Sequence, residues 1–342
     1  MPLTTIKLEP PYLIFFGDVR EQMNAKTGLG IAHWVPERCL GQMKFASCSV
    51  ESGLPDLSVS EALAAGVRTL IVGVAATGGQ LQKNWLPPLL ELARAGVDIA
   101  AGLHNKLSAI PSLVQAADAG GARLIDVRVP PPDIPCGTGR RRTGKRVLTV
   151  GTDCAVGKKY SALALHRELL QRNVSATFRA TGQTGIMIAG EGIPIDAVVA
   201  DFISGAAELL SPDNQDDHWD VIEGQGSLIH PGYAGVALGL IHGSQPDALL
   251  LCHDADREII ADVDMHLQIP PLDDFIEQVL AAARLTNPNC VCAGICVNTS
   301  SLTASERDTY LDRLQQQFSM PVVDPIASGM TTVADFLLAR SG

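Results

Sequence analysis

Residues 147–165, VLTVGTDCAVGKKYSALAL, contain the residue types of a phosphate-binding loop in the required order. The apolar residues 147–150 predict a strand, and the Ala- and Leu-rich residues after Lys158 predict a helix. Such a loop holds phosphate with backbone N–H groups, permissive glycines and a lysine, and the helix N-terminus adds positive potential. We therefore predict that a phosphorylated cofactor is bound by Gly151, Thr152, Cys154, Ala155, Val156, Gly157, Lys158 and Lys159.

Two features of this loop differ from the common pattern. Five residues separate Gly151 from Gly157, where the usual spacing has four. Lys159 stands where a nucleotide-hydrolysing loop carries the Ser or Thr that ligates Mg²⁺, and Ser161 faces another side of the helix. Asp153 remains available in the loop to bind a metal or a substrate amine. We therefore expect phosphate binding without efficient ATP hydrolysis.

The loop also resembles that of dethiobiotin synthetase and its relatives, in which G-T-D-T and two variable residues precede G-K-T. In those proteins a later strand ends in an acidic residue followed by small residues, and DVIEGQGS at 220–227 is similar. The resemblance implies that Glu223 lies at a carboxyl strand end near the phosphates. There it would bind Mg²⁺ through water or act as a base.

The rest of the C-terminal half contains the elements that would position these residues. Apolar runs predict strands, and Leu and Ala at helical spacing predict the intervening helices. The predicted strands begin near residues 146, 175, 218, 248 and 290. Since ligands bind at the carboxyl edge of such a sheet, polar residues after these strands are candidates for a site.

The N-terminal half has the same alternation of strands and helices. Strands are predicted at 12–19, 69–76, 97–103 and 123–129, and helices at 58–67 and 84–97. The repeated AGV at 65–67 and 95–97 is typical of a helix that ends in glycine before the next strand. Together, the two halves predict two doubly wound α/β domains in tandem.

The segment VPPPDIPCGTGRRRTGKR at 129–146 separates the two patterns. Its Pro and Gly residues predict a break in regular structure, and we assign 139–146 as a basic linker. A solvated linker is one interpretation of its basic residues. In the other, Arg140, Arg141 or Arg142 reaches an anionic ligand held by the loop just downstream.

Composition excludes several classes of partner. The 342 residues carry a net charge of −11, which disfavours nucleic acid and anionic membranes as partners. No apolar run approaches the roughly 20 residues of a membrane span, and we find no secretion signal. The eight cysteines lack zinc-site spacing and are expected to be mostly buried thiols. We expect a cytoplasmic protein that forms a homo-oligomer.

Several motifs taken together resemble one bacterial family. They are GVAATGGQL (73–81), AGLHNKL (101–107), VGTDCAVGKK (150–159), RATGQTGIMIAG (179–190) and VIEGQGSLIHPGY (221–233). The family was long of unknown function and includes D-glutamate N-acetyltransferase, which is partnered with an enolase-type racemase or epimerase. The resemblance implies a Rossmann-like domain at 1–138 and a P-loop NTPase-like domain at 147–342.

The resemblance further implies acetyl transfer from acetyl-CoA to the amino group of D-glutamate or a similar acidic amino acid. The loop would then hold the phosphates of coenzyme A. Glu223 would be the base, with Asp153 as the alternative, and His230 is a third catalytic candidate.

Arg179, Gln183 and Thr184 are the candidates for binding the substrate. Two other functions remain open: an ATP- and Mg²⁺-dependent ligase or kinase of the dethiobiotin synthetase type, with Glu223 at the metal, and a nucleotide-binding regulatory protein.

Overall fold

The computed structural model describes residues 6–74, 81–103, 105–261 and 263–340. Most of GVAATGGQL and His104 of AGLHNKL therefore lie outside the described residues. The chain forms two compact units. The first contains the residues up to Pro131 together with Gln183–Ala197, and the second contains the remainder.

The first unit is built on a parallel five-stranded sheet with strand order β2-β1-β3-β4-β5. Its strands are β1 (Tyr12–Gly17), β2 (Cys39–Lys44), β3 (Thr69–Val72), β4 (Asp98–Ala101) and β5 (Leu124–Asp126). Its helices are α1 (Lys26–Trp34), α2 (Val59–Ala64), α3 (Leu86–Arg94), α4 (Pro111–Gly120) and α6 (Gln183–Ala189). This order reverses between β1 and β3, as in other doubly wound folds.

The second unit has a parallel six-stranded sheet in the order β11-β10-β9-β6-β8-β7. Its strands are β6 (Lys145–Gly151), β7 (Ala176–Arg179), β8 (Trp219–Ile222), β9 (Ala248–Asp254), β10 (Val291–Asn298) and β11 (Val322–Val323). Its helices are α5 (Lys158–Gln171), α7 (Ile203–Leu210), α8 (Ala234–Ser244), α9 (Leu272–Arg284), α10 (Ala304–Gln317) and α11 (Thr331–Ala339).

The hydrophobic core of the second unit holds β6 in the middle of its sheet. Leu148 and Val150 of β6 are buried with Ile222 of β8, Leu251 of β9 and Phe275 of α9. The loop that follows β6 therefore emerges at the centre of the carboxyl edge, between the ends of β8 and β9. The prediction of two doubly wound α/β domains is confirmed.

One difference from the sequence-based boundaries concerns the residues after β7. Residues 183–197 follow β7 in the chain, yet they belong to the first unit and supply its helix α6. Ile186, Met187 and Ile188 of this helix are buried. The spacing of hydrophobic residues can predict a helix, but it does not show which domain core the helix packs against. The choice of core depends on contacts between residues that are distant in sequence.

The proposed basic linker is also different in the structure. Arg142 is buried, and its guanidinium donates to the carbonyl oxygens of Ser211 at 2.7 Å and Gly243 at 2.6 Å. Lys145 and Arg146 begin β6, and Arg146 donates to Thr143 O at 2.8 Å. A solvated position and an anion-binding role therefore do not fit Arg142, whereas Arg140 and Arg141 are exposed, and the assignment of 139–146 as a linker stays a prediction. The phosphate loop lies at the opposite end of β6, about 20 Å along the strand.

Four of the eight free cysteines are buried: Cys252, Cys290, Cys292 and Cys296. Among the residues that the structure describes, no helix combines the length and apolar character needed to cross a bilayer.

Candidate phosphate-binding site

The loop between β6 and α5 adopts a tight backbone conformation that its glycines permit. Gly157 has φ +101° immediately before α5, and Ala155 has φ 57°. A Cβ on Gly151 would lie 2.8 Å from Val156 Cγ2 and 2.9 Å from Lys158 Nζ, so a larger residue would clash at that position. Left-handed residues next to right-handed ones direct successive N–H groups into one concavity, which is how backbone nests bind anions.

Lys158 is buried inside this loop, with 7% of its surface exposed. Its Nζ donates to the carbonyl oxygen of Asp153 at 2.7 Å. Burial lowers the pKa of the ammonium, and the charges of Asp153 and Glu223 partly offset that effect. A bound phosphate would supply the counter-charge that a buried lysine needs.

Asp153 braces the loop from within. Its Oδ2 accepts hydrogen bonds from Arg257 at 2.7 Å and from Ala261 N at 2.8 Å, and its Oδ1 accepts from Cys154 N at 2.6 Å. The carboxylate is fully buried. These contacts give Asp153 a structural role, because a catalytic base would have to give up its pairing with Arg257.

Glu223 follows β8 and is 3% exposed. Its Oε2 accepts hydrogen bonds from Thr181 N at 2.9 Å and Gly182 N at 3.0 Å. Within the described part of the chain, Oε1 accepts none. Burial raises the pKa of the carboxyl, while the two amides and the charges of Lys159 and Lys158 act in the opposite direction. The net direction is a raised pKa, which makes the carboxylate a better proton acceptor than that of an exposed glutamate.

The end of β8 packs directly against the loop. Gly224 N donates to Thr149 Oγ1 at 2.8 Å. A Cβ on Gly224 would lie 1.7 Å from Thr149 O and 3.2 Å from Lys158 Cδ, so only glycine fits here. The structure therefore places Glu223 beside the phosphate loop, as its position after a strand predicts.

His230 is held by hydrogen bonds to the backbone on both sides of its ring. Nδ1 accepts from Gly232 N at 3.1 Å, and Nε2 lies 3.2 Å from Ala261 O. The ring lies 4.5 Å from that of Tyr233. With both ring nitrogens engaged by backbone groups, His230 supports the loop after β8.

The ligand atoms of Asp153, Cys154 and His230 lie within 4.8 Å of one another. A metal ion there would have to displace Arg257 from Asp153 and a backbone group from His230. The cluster is therefore a hydrogen-bonded brace rather than a metal centre.

The proposed substrate residues are divided between the two units, with Arg179 in the second and Gln183 and Thr184 in the first. Arg179, at the end of β7, donates from Nε to Asp220 Oδ1 at 2.7 Å, which neutralises its charge. Gln183 and Thr184 belong to the first unit, where Thr184 Oγ1 lies 3.0 Å from Thr27 Oγ1. Gln183 Oε1 is buried without a hydrogen-bond partner among the described residues. Their roles in substrate binding stay predictions.

Sequence reasoning missed Arg257, the partner of Asp153. A signal was present, because Arg257 closely follows β9, which lies next to β6 in the sheet. His253, at the end of the same strand, lies with Nδ1 3.0 Å from Thr152 Oγ1. Polar residues that follow the strands on either side of β6 therefore support the loop.

Comparison with known protein families matches both halves of the chain. A model described as a domain of unknown function, the DUF1611_C P-loop domain, matches residues 135–334. A second, the DUF1611_N Rossmann-like domain, matches residues 41–130. The two descriptions agree with the two α/β units.

Individual relatives are similar over almost the whole chain. A D-glutamate N-acetyltransferase from Pseudoalteromonas sp is 45% identical over 328 residues, covering 96% of this chain and 98% of that protein. A D-glutamate N-acetyltransferase from Tritonibacter scottomollicae is 45% identical over 332 residues, covering 97% and 99%. The crystal structure of a DUF1611 family protein from Anabaena variabilis superposes with a TM-score of 0.86 at 30% identity, covering 97% of this chain and 100% of that one.

Proposed function

The chain belongs to the DUF1611 family, and on that premise we propose that it is a D-glutamate N-acetyltransferase. It transfers the acetyl group of acetyl-CoA to the amino group of D-glutamate or a similar acidic amino acid. The observation that carries the proposal is 45% identity, over nearly the full length of both proteins, to relatives named for that activity.

The loop between β6 and α5 is the proposed binding site for the phosphates of coenzyme A. Its support is the concave backbone at Ala155 and Gly157 and the buried Lys158 ammonium. Coenzyme A carries a pyrophosphate that only has to be held, so its binding does not require the hydrolytic residues of a nucleotidase. When bound, acetyl-CoA supplies the thioester that donates the acetyl group.

Glu223 is the proposed general base. The amino group of the substrate is an ammonium at neutral pH and must lose a proton before its nitrogen can form the amide bond. Glu223 Oε1 takes that proton, while Thr181 N and Gly182 N hold Oε2 and so fix the orientation of the carboxylate. As the C–S bond breaks, the thiolate of coenzyme A leaves and takes up a proton.

Substrate binding is assigned to the residues that follow β7. Gln183 and Thr184 provide an amide and a hydroxyl, which recognise carboxylates through their donors. Arg179 contributes charge only as part of its pair with Asp220.

The experiment is an acetyl-transfer assay with the purified protein. We expect free CoA thiol to be released when D-glutamate and acetyl-CoA are both present, and N-acetylglutamate to be identified by mass. L-Glutamate and D-glutamine are the controls for stereochemistry and for the side-chain carboxylate. Consumption of ATP with Mg²⁺ and no thiol release would contradict the proposal and favour a ligase or kinase. Ligand binding without turnover would favour a regulatory protein.

A further inference from the structure

Lys159 occupies the position at which a Mg²⁺-dependent phosphate loop has its metal-binding hydroxyl. It is the second residue of α5 and is partly exposed. In loops that bind Mg–nucleotide complexes, Ser or Thr at this position ligates the metal, and an acidic residue on a neighbouring strand completes the site. Glu223, directly after β8, is that acidic residue by position, because β8 pairs with β6.

The charge of Lys159 affects the pKa of Glu223. Its ammonium lowers the pKa of the Glu223 carboxyl, and among the charged groups that act there it has a larger effect than Lys158. Lys159 Nζ also lies 5.1 Å from the centroid of the Tyr160 ring. Lys159 lies in the first turn of α5, which follows β6, and Glu223 follows the neighbouring β8, so both charges lie at the carboxyl edge of the same sheet.

Other hydroxyls near the loop are already engaged within the second unit. Thr152 Oγ1 lies 3.0 Å from His253 Nδ1, and Ser161 Oγ donates to Gly157 O at 3.1 Å. Ser227 Oγ donates to Thr152 O at 3.1 Å. Each of these three hydroxyls already has a hydrogen-bond partner, so replacing the missing Ser or Thr would disrupt a contact that supports the loop.

Carboxylate ligands are equally few. Asp153 is satisfied by Arg257 and two backbone amides, and Asp254 at the end of β9 accepts from Asp256 N and Asn298 Nδ2. Among the described residues, Glu223 Oε1 is a carboxylate oxygen beside the loop that accepts no hydrogen bond. Mg²⁺ keeps several waters and is held by one or two carboxylates together with substrate phosphates, so here the ion would lie beside the fixed positive charge of Lys159. The described residues do not fit the Mg²⁺ ion that the fold of this domain implies.

We propose that the Lys159 ammonium takes the place of Mg²⁺ and bridges Glu223 to a phosphate of the bound ligand. Lys158 then meets the phosphates from inside the loop and Lys159 meets them from the side of Glu223. Phosphate binding consequently requires no divalent cation. A Mg–nucleotide complex is disfavoured, because its metal would approach a fixed positive charge. The inference rests on the phosphate-binding part of the proposed function and not on acetyl transfer.

The test is titration calorimetry of the full-length protein with CoA and with ADP, each in EDTA and in MgCl₂. For the wild type we expect the affinities in the two buffers to agree within about threefold. K159M should weaken binding in both buffers by about tenfold or more, because a charge-assisted contact is lost. K159T restores the metal-binding hydroxyl and should bind weakly in EDTA but recover at least about tenfold in MgCl₂.

K159M is also the matched control for K159T, since it removes the charge of Lys159 at about the same side-chain length but supplies no metal-binding hydroxyl. Unfolding temperatures of the three proteins identify any variant that fails to fold. Wild-type binding that disappears in EDTA, or K159M binding as tightly as the wild type, overturns the inference. If ADP binds equally in both buffers and CoA does not bind, the acetyl-CoA proposal fails and the inference stands. If neither ligand binds, both fail.

Discussion

At the scale of single residues, the carboxyl of Glu223 illustrates how burial and hydrogen bonds set reactivity together. Burial alone would keep the group protonated, and the amides of Thr181 and Gly182 favour the charged form. The net effect is a raised pKa. A carboxylate with a raised pKa accepts a proton more readily than that of an exposed glutamate, which is the property that the proposed role of Glu223 requires.

Replacing Glu223 by glutamine should therefore lower kcat by about 10²–10⁴-fold, since proton transfer is lost. In the wild type, activity should fall as pH is lowered through a pKa above the usual 4.5, and E223Q should lack this acid limb. The measurement is the pH profile of kcat/KM. E277Q, which removes a charge from an exposed position of α9, is the matched control.

The stability of E223Q separates a catalytic role from a structural one. Because the pKa of Glu223 is raised on folding, its protonated form stabilises the protein at low pH, and this contribution is lost as pH rises through the folded pKa. At neutral pH, E223Q should consequently unfold at a temperature no lower than the wild type. Full activity in E223Q would exclude Glu223 as the base.

Arg257 is predicted to stabilise the loop through Asp153. R257M leaves a fully buried carboxylate without its cation, and the guanidinium itself is 28% exposed, so we expect a loss of about 1–3 kcal/mol in unfolding free energy. Denaturant unfolding measures this. R307M, which removes a surface pair with Asp308, should change stability by less than about 0.5 kcal/mol. Equal losses of stability in R257M and R307M would contradict the prediction that Arg257 stabilises the loop through Asp153.

At the scale of elements, the phosphate loop depends on the backbone at its junction with α5. Gly157 adopts φ +101° there, a conformation that residues with a Cβ rarely adopt. The nearest atom to an added Cβ is Asn298 Cβ at 3.9 Å, so space is not the constraint. The requirement for glycine is therefore a property of the backbone path that directs the N–H groups inward.

G157A should destabilise the protein by about 1–3 kcal/mol through backbone strain, and it should weaken CoA binding. Thermal unfolding and calorimetry measure the two effects. G235A in α8 is the control, because it has open space and helical geometry and should be neutral or slightly stabilising. If G157A resembles G235A in both measurements, the strained junction is unimportant for the site.

At the scale of the whole molecule, the two units are connected by more than one crossing of the chain. The polypeptide passes to the second unit after Pro131, returns to the first for Gln183–Ala197, and then leaves it again. The first unit is thus incomplete without a segment that follows β7. Its buried residues Ile186, Met187 and Ile188 each contribute about 1.5–3 kcal/mol when removed from water.

A chain that ends at residue 131 should therefore be unstable. We expect rapid proteolysis and no cooperative thermal transition, because α6 is missing from the core of the first unit. Joining residues 183–197 to this fragment through a flexible Gly/Ser linker should restore a cooperative transition. If the fragment without α6 unfolds at the same temperature as the joined chain, the assignment of α6 to the first unit's core is wrong.

Sequence alone determined the phosphate loop, its strand and helix, and the two α/β patterns. These features are local. The spacing of apolar residues distinguishes a strand from a helix, and Gly-Lys between a strand and a helix indicates a phosphate-binding loop. Glu223 came from the resemblance of DVIEGQGS to the corresponding strand end in dethiobiotin synthetase and its relatives, and the carboxyl ends of neighbouring parallel strands do meet at one edge of a sheet.

Tertiary structure alone decided which polar groups remain free for chemistry. Asp153 and His230 have residue types suited to catalysis, but Arg257, Ala261 and Gly232 occupy their hydrogen-bonding atoms. Arg142 looks like an anion ligand in the sequence and instead binds carbonyl oxygens at helix ends. The physical reason is that hydrogen-bond partners and burial come from residues far apart in the chain. They exist only once the sheets and helices have packed.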